Sequence, residues 1–167
     1  MAAFFKIRDL FAPREKIVQD INIKPGYHVL DYGCGPGAYI PAVAEMIGSS
    51  GMIYAADIHS LAKDYVEGIA ARYGLENVQF IQTDCHTGLT SRSLDVVLLF
   101  DTLHDLDNPG KILHEFNRIL KPDGMLFVND HHLKESELIA RIEDSGLFRY
   151  SGKGKYVWSF APVSAEL

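Results

Sequence analysis

What this sequence lacks narrows its range first. Only two cysteines occur, Cys34 and Cys85, and neither stands in a close cluster with histidine. A disulfide framework is therefore excluded, and nothing points to a structural zinc site. No window approaches the roughly 18 uninterrupted apolar residues that a membrane-crossing helix needs. The start, Met-Ala-Ala-Phe-Phe-Lys-Ile-Arg-Asp, turns charged too soon to hold the apolar core of a secretory leader, so a cytoplasmic protein without a membrane partner is expected. Basic charge is also scarce. Sixteen Lys and Arg face 22 Asp and Glu, a net charge of −6 with no basic stripe. Neutralising phosphates supplies most nucleic-acid affinity, so a nucleic-acid partner is disfavoured. No internal repeat or low-complexity segment is visible.

What is present is ordinary globular material: 167 residues, 47% hydrophobic and 23% charged. That is enough for one domain with a real core, here read as 1–167, with an N-terminal helical segment at 1–25 and the core at 26–161. The spacing predicts a short helix over 14–21, a buried strand at 27–31, a glycine-rich turn, and a helix over 38–47. Pro41 is tolerated in that helix because first-turn amides lack intrahelical acceptors. A second strand at 52–57 follows. Ser60 is placed to cap the next helix, whose apolar face is read as Leu61, Tyr65, Ile69 and Tyr73. A short strand at 78–81 precedes a near-continuously apolar one at 94–100, expected to be buried on both faces. Asn108-Pro109 opens the clearest helix, with Ile112, Leu113, Phe116, Ile119 and Leu120 as its buried stripe, and Lys121-Pro122-Asp123-Gly124 stops it. A fifth strand at 125–129, a helix over 137–145 closed by Gly146, and two β-rich runs around Gly152-Lys153-Gly154 complete the pattern. Five βα units ending in a hairpin imply an α/β fold: a doubly wound, mostly parallel sheet with helices on both faces and an antiparallel C-terminal addition.

Strands of such a sheet bring their carboxyl ends to one edge, where ligands bind near the topological switch point. The turns there carry Gly33, Gly35, Gly37, Asp57, Asp84 and Asp101. Packing alone would not place carboxylates at the ends of successive hydrophobic strands. A glycine turn leaves room for a ligand to approach the backbone. Gly33-x-Gly35-x-x-Ala38 also satisfies the dinucleotide fingerprint, with Asp57 at a distance suited to a ribose diol, so the glycines alone leave an NAD-binding oxidoreductase open.

The full loop reads Asp31-Tyr32-Gly33-Cys34-Gly35-Pro36-Gly37. With an acid two residues before the first glycine, it resembles the first motif of class I S-adenosylmethionine-dependent methyltransferases. The element order from Tyr27 to Phe160 is similar to that family's Rossmann-like, seven-stranded fold, closing hairpin included. No chain remains for the substrate domain a nicotinamide enzyme needs. The resemblance implies S-adenosyl-L-methionine as cofactor. It puts Gly33, Gly35 and Gly37 beneath the methionine portion, and Asp31 at the turn or at the cofactor's ammonium. Asp57 would take the ribose hydroxyls, a task that suits a carboxylate, and Ile58 would lie against the adenine. Asp84 would take the adenine amino group, and the Cys85 amide would face a ring nitrogen. Phe100, Asp101 and Thr102 would stand near the transferable methyl. Cys34 matches a common family choice at its position and is read as packing, not as a redox thiol.

Methyl transfer from a sulfonium needs alignment and exclusion of water, and a base only where the acceptor must lose a proton. Asp101 and His104 are the catalytic candidates. Asp105, Asp130, His131 and His132 share their edge. His104 either acts as a base or lines the acceptor pocket. Asp101, Asp130 and His131 form an alternative set for a divalent ion, although no resident metal is expected. Only 26 residues precede the first strand, and about six separate strand five from the last helix, whereas relatives with buried small substrates place a lid in one of those places. An open acceptor site is expected, or one completed by a second subunit of a homodimer or by the substrate. The acceptor itself, small molecule or protein, is not specified. A domain that holds the cofactor for a partner without turnover is the rival reading.

Overall fold

The computed structural model describes residues 14–163. The charged start that argues against a leader, and the first half of the predicted N-terminal segment, lie outside the described residues. The chain runs α1 (Arg14–Gln19), β1 (His28–Tyr32), α2 (Ile40–Ile47), β2 (Met52–Asp57), α3 (Leu61–Tyr73), β3 (Val78–Gln82) and β4 (Leu94–Phe100). A single 3-10 turn (Leu103–Asp105) leads to α4 (Pro109–Ile119), β5 (Leu120–Asn129), α5 (Glu135–Glu143), β6 (Phe148–Lys153) and β7 (Trp158–Pro162). The seven strands form one sheet in the order β3-β2-β1-β4-β5-β7-β6. The first five are parallel, and β7 is antiparallel to both β5 and β6. The expected Rossmann-like architecture with its terminal hairpin is what the chain adopts. Among the described residues, no helix is long and apolar enough to cross a membrane.

Two apolar layers flank the sheet. Ile17, Val43, Val66, Ile53 and Val96 belong to the layer under α1, α2 and α3. Leu99, Leu113, Phe116, Leu126 and Ile142 belong to the layer under α4 and α5. β4 supplies Val96 and Leu98 to the first and Val97 and Leu99 to the second, which is why its sequence is apolar without alternation. Asn108 caps α4 as expected, its side chain accepting from the Lys111 amide at 3.3 Å.

Four local readings need correction. Of the predicted α3 face, Ile69 packs against the core beside the buried Ala62 and Val66, while Leu61, Tyr65 and Tyr73 are 70%, 61% and 53% exposed. The helix packs through Ala62, Val66 and Ile69, and its N-terminal Leu61 and the two tyrosines are left outside. Ser60 makes no side-chain cap bond, because it already has helical backbone angles. No helix joins β3 to β4; an irregular loop at 83–93 replaces it. Finally, Lys121-Pro122-Asp123-Gly124 forms an irregularity inside β5, where pairing jumps from Leu94↔Leu120 to Val96↔Met125. Pro122, which has no amide proton, is tolerated at such a bulge.

One long-range clamp joins the two ends of the described chain. The Asp20 carboxylate accepts from the amides of Lys155, Tyr156 and Val157 at 3.1, 2.7 and 3.2 Å. Those residues form the turn that delivers β7 into the sheet.

Candidate functional site

Strand order reverses between β1 and β4, so the connections from their carboxyl ends diverge and leave a crevice. There the structure brings Gly33, Asp57, Ile58, Asp84, Cys85 and Asp101 to the wall of one cavity of about 580 Å³. Asp31, Cys34, Gly35, Gly37, Phe100 and His104 do not line it; they stand behind the wall or beside it.

The turn after β1 is tight because its glycines take positive φ: 75° at Gly33, 49° at Gly35 and 73° at Gly37. At Gly33 a Cβ would meet the Thr102 hydroxyl at 2.3 Å, so the room that glycine makes there is for a side chain from the β4 turn. The loop amides all have acceptors within the protein. Gly33 and Cys34 donate to the Ala56 carbonyl at 2.8 and 3.0 Å, and Gly37 to that of Cys34 at 2.9 Å. Gly35 donates to Asp57 Oδ2 at 2.9 Å. The other oxygen of Asp57 accepts from the His59 amide at 2.8 Å. Asp57 is thus fixed at the end of β2, with lone pairs left over for a ligand.

Asp31 lies behind the glycine turn at 3% exposure, and its Oδ2 has no hydrogen-bond partner. Burial, reinforced by the nearby Asp57, pushes its carboxyl up to about 7. An orphaned, buried carboxylate oxygen is costly. Its natural complement is a cationic hydrogen-bond donor. Burial, followed by the charges of Asp31 and Asp57, likewise drives the Cys34 thiol far up, so its side chain is an inert packing element.

The far wall comes from Ile58, directly after β2, and from the loop after β3. Ile58 projects into the cavity at 59% exposure, an apolar surface left open to solvent. Asp84 is exposed beside it, and its carbonyl accepts from the Tyr32 hydroxyl at 2.9 Å. The Cys85 amide donates to the Thr83 hydroxyl at 3.1 Å in a local side-chain turn at the cavity wall. The whole loop hangs from Glu115 of α4, a residue sequence reading missed. Its carboxylate accepts from the Thr87 amide at 2.8 Å, the Thr87 hydroxyl at 2.6 Å, and Arg118 through two bonds of 2.8 Å each. The signal was available, since Glu115 interrupts a helix face otherwise made of Ile112, Phe116 and Ile119.

Burial alone would raise the Glu115 carboxyl, but the bonds from Arg118 and Thr87 outweigh it and hold the group at about 2 against 4.5 in the open chain. A carboxyl depressed on folding stabilises fully above its open-chain pKa and loses that contribution as pH falls through the folded value. Glu115 therefore contributes above about pH 5 and fades toward pH 2, by as much as roughly 3 kcal/mol. Urea unfolding between pH 6 and 3 should show a fall in stability that is much flatter in Glu115→Gln.

The rim beyond β4 and β5 carries three imidazoles. Phe100 packs its ring edge-on against Tyr39, with centroids 4.9 Å apart, and stays in the core. Asp101 takes a positive φ of 49°, a strained backbone that aims its carboxylate outward, where it pairs with His131 Nδ1. Asp130, almost fully buried at 2%, holds His104: its carboxylate accepts from the His104 amide at 3.0 Å and from Nδ1 at 2.9 Å. The other ring nitrogen, Nε2, stands 3.3 Å from the exposed Asp105 carboxylate. The His132 ring lies between those of His104 and His131, 4.0 and 3.9 Å away. Asp101 and Asp130 are thus each committed to a different imidazole.

A family model described as a methyltransferase domain matches residues 23–158. Among curated proteins, the demethylmenaquinone methyltransferase of Lactobacillus johnsonii is 30% identical over 113 residues, covering 66% of this chain and 46% of that protein. The ubiquinone/menaquinone biosynthesis C-methyltransferase UbiE of Ectopseudomonas mendocina is 28% identical over 148 residues, 87% of this chain and 54% of that one. The chain spans about half the length of these curated relatives. Among solved structures, a SAM-dependent methyltransferase from Aquifex aeolicus superposes with a TM-score of 0.81 at 28% identity, covering 92% of this chain and 91% of that chain.

Proposed function

Because the chain belongs to the methyltransferase-domain family, we propose that it is an S-adenosylmethionine-dependent methyltransferase that binds its cofactor across the crevice between β1 and β4. The observation that carries this reading is the buried, unpartnered oxygen of Asp31 behind a turn whose amides are already engaged. A pyrophosphate needs free loop amides and no buried acid behind them. The methionine end of S-adenosylmethionine brings an ammonium, which is the donor that Asp31 lacks. The nicotinamide reading loses its support on the same ground.

Bound there, the cofactor would supply a methyl group already activated on a sulfonium. This chain's residues would then do the following work. Asp57 would hold the ribose hydroxyls with lone pairs not used by Gly35 and His59. Ile58 would cover one face of the adenine, and Asp84 would accept from its amino group. Asp101 and Thr102 would border the reacting end. His104, oriented through Nδ1 by Asp130, would present Nε2 to an acceptor that must lose a proton. Carboxylates dominate this rim, which agrees with a small-molecule or protein acceptor and not with a nucleic acid. The acceptor side is open, to be closed by the acceptor or by a second subunit. A cytoplasmic setting goes with this reading.

Titration calorimetry with S-adenosylmethionine, S-adenosylhomocysteine and NAD tests the proposal. Micromolar-range binding of the first two and none of the third is expected. Tight NAD binding would overturn it, and cofactor binding without methyl transfer to any member of a metabolite pool would favour the non-catalytic domain instead.

A further inference from the structure

The loop at 83–93 carries two residues of the cofactor cavity, Asp84 and Cys85, yet no helix or strand supports it. Among the described residues, 84–89 make no backbone–backbone hydrogen bond. A segment without such bonds opens easily unless side chains tie it down. Here they do. The Tyr32 hydroxyl, from the end of β1, donates to the Asp84 carbonyl at 2.9 Å. The Cys85 thiol meets the Lys111 carbonyl, in the first turn of α4, at 3.6 Å. Thr87 gives both its amide and its hydroxyl to Glu115.

The buried ties need a reason beyond stability. Five polar side chains are buried among the described residues: Asp31, Asp57, Asp130, Thr87 and Glu115. The first three belong to the ligand edge, and the last two are this tie. Apolar side chains of similar volume could close the same seam without loss of stability. What the carboxylate adds is direction, because Arg118 holds it through two bonds and Thr87 must come to meet it. Tyr32 is as constrained. It is 5% exposed, and its ring stands edge-on to Phe116, the neighbour of Glu115 on α4, with centroids 5.1 Å apart. Burial drives its phenol far up, so the hydroxyl stays a donor. α4 thus backs both ties.

We propose that Tyr32 and Glu115 are positioning residues of the cofactor site: they hold the loop after β3 in the shape that lets Asp84 recognise the 6-amino group of adenine. The identity of that ligand rests on the methyl-transfer reading. Tyr32 acts on the Asp84 main chain, and Glu115 acts through Thr87. A loop already ordered before the ligand arrives leaves less entropy to be lost on binding.

Two measurements on full-chain Tyr32→Phe and Glu115→Leu test this, with Thr87→Val breaking the second tie from the loop side. In hydrogen exchange without ligand, amides within 84–89 should exchange at least about 10-fold faster in each variant, while β1 and β4 keep wild-type rates. Unchanged exchange overturns the ties. Calorimetry then compares S-adenosylhomocysteine with its analogue bearing hydrogen in place of the 6-amino group. The wild type should favour the former about 10-fold, as one hydrogen bond to a charged acceptor allows. Each variant should bind S-adenosylhomocysteine about 10-fold more weakly and the analogue almost as well as before, so the preference disappears. Glu115→Gln, which keeps an oxygen for Thr87, should lose less than Glu115→Leu. Adding Tyr32→Phe to Asp84→Ala should weaken binding no further. An equal loss for both ligands, or a preference that survives in the variants, overturns the positioning role. Wild-type protein that binds neither ligand counts against the proposed function and takes adenine recognition with it, while the exchange rates still decide the ties.

Discussion

Replacing Asp57 with alanine is expected to weaken S-adenosylmethionine binding by 100-fold or more, about 2.7 kcal/mol. Two losses combine. The ligand loses a charged acceptor for a pair of hydroxyls, and a hydrogen bond to a charged group contributes roughly 1.5–3 kcal/mol. The Gly35 amide also loses its acceptor at 2.9 Å, so the turn that shapes the crevice is no longer fixed. Asp57→Asn keeps one oxygen and should lose about tenfold. Calorimetry with S-adenosylhomocysteine reads both variants, and circular dichroism shows whether the fold survives. Wild-type affinity in a folded Asp57→Ala protein would remove this residue from the site.

The second large effect concerns Asp31, where stability and binding should move in opposite directions. Its folded-state carboxyl stands near 7 against 3.8 in the open chain, because burial and Asp57 both oppose its charge. A carboxyl raised on folding favours the folded state most at low pH, and that contribution is lost as pH rises from about 4 to 7. Above pH 7 the buried charge destabilises the ligand-free protein by as much as roughly 4 kcal/mol. Asp31→Asn should therefore be more stable than the wild type at pH 8, with the gap closing toward pH 4. The same variant should bind S-adenosylmethionine at least tenfold more weakly at neutral pH, since an amide cannot neutralise an ammonium. Wild-type affinity should rise between pH 6 and 7.5 as Asp31 ionises, and the asparagine variant should show no such slope. A variant that is destabilised at pH 8, or that keeps the slope, would show that Asp31 is not the group responsible.

The sheet and its ligand edge were legible because strand chemistry is written locally. β4 must face two apolar layers, and its run of Val, Leu and Phe says so. The acids of the ligand edge, Asp57 and Asp101, stand directly at the ends of β2 and β4. What was not legible depends on distances across the chain. On α3 only Ile69 of the expected face packs inward; Leu61, Tyr65 and Tyr73 dominate the periodicity by size, while Ala62 and Val66 make the rest of the contact. Glu115 holding Thr87 spans 28 residues, and His104 meeting Asp130 spans 26. Glu115 stands out locally as an acid on an apolar helix face, but no local pattern encodes the partner of either bond.

The position of β7 has a consequence for biosynthesis. Although last in the described chain, it is threaded between β5 and β6, so on a ribosome the outer edge of β5 waits unpaired until Trp158–Pro162 has emerged. The clamp from Asp20, among the earliest described residues to be translated, can close only then. Such an N-to-C closure makes acquisition of the native state a late, all-or-none event. The nascent polypeptide meanwhile exposes a sticky strand border of the kind that recruits chaperones.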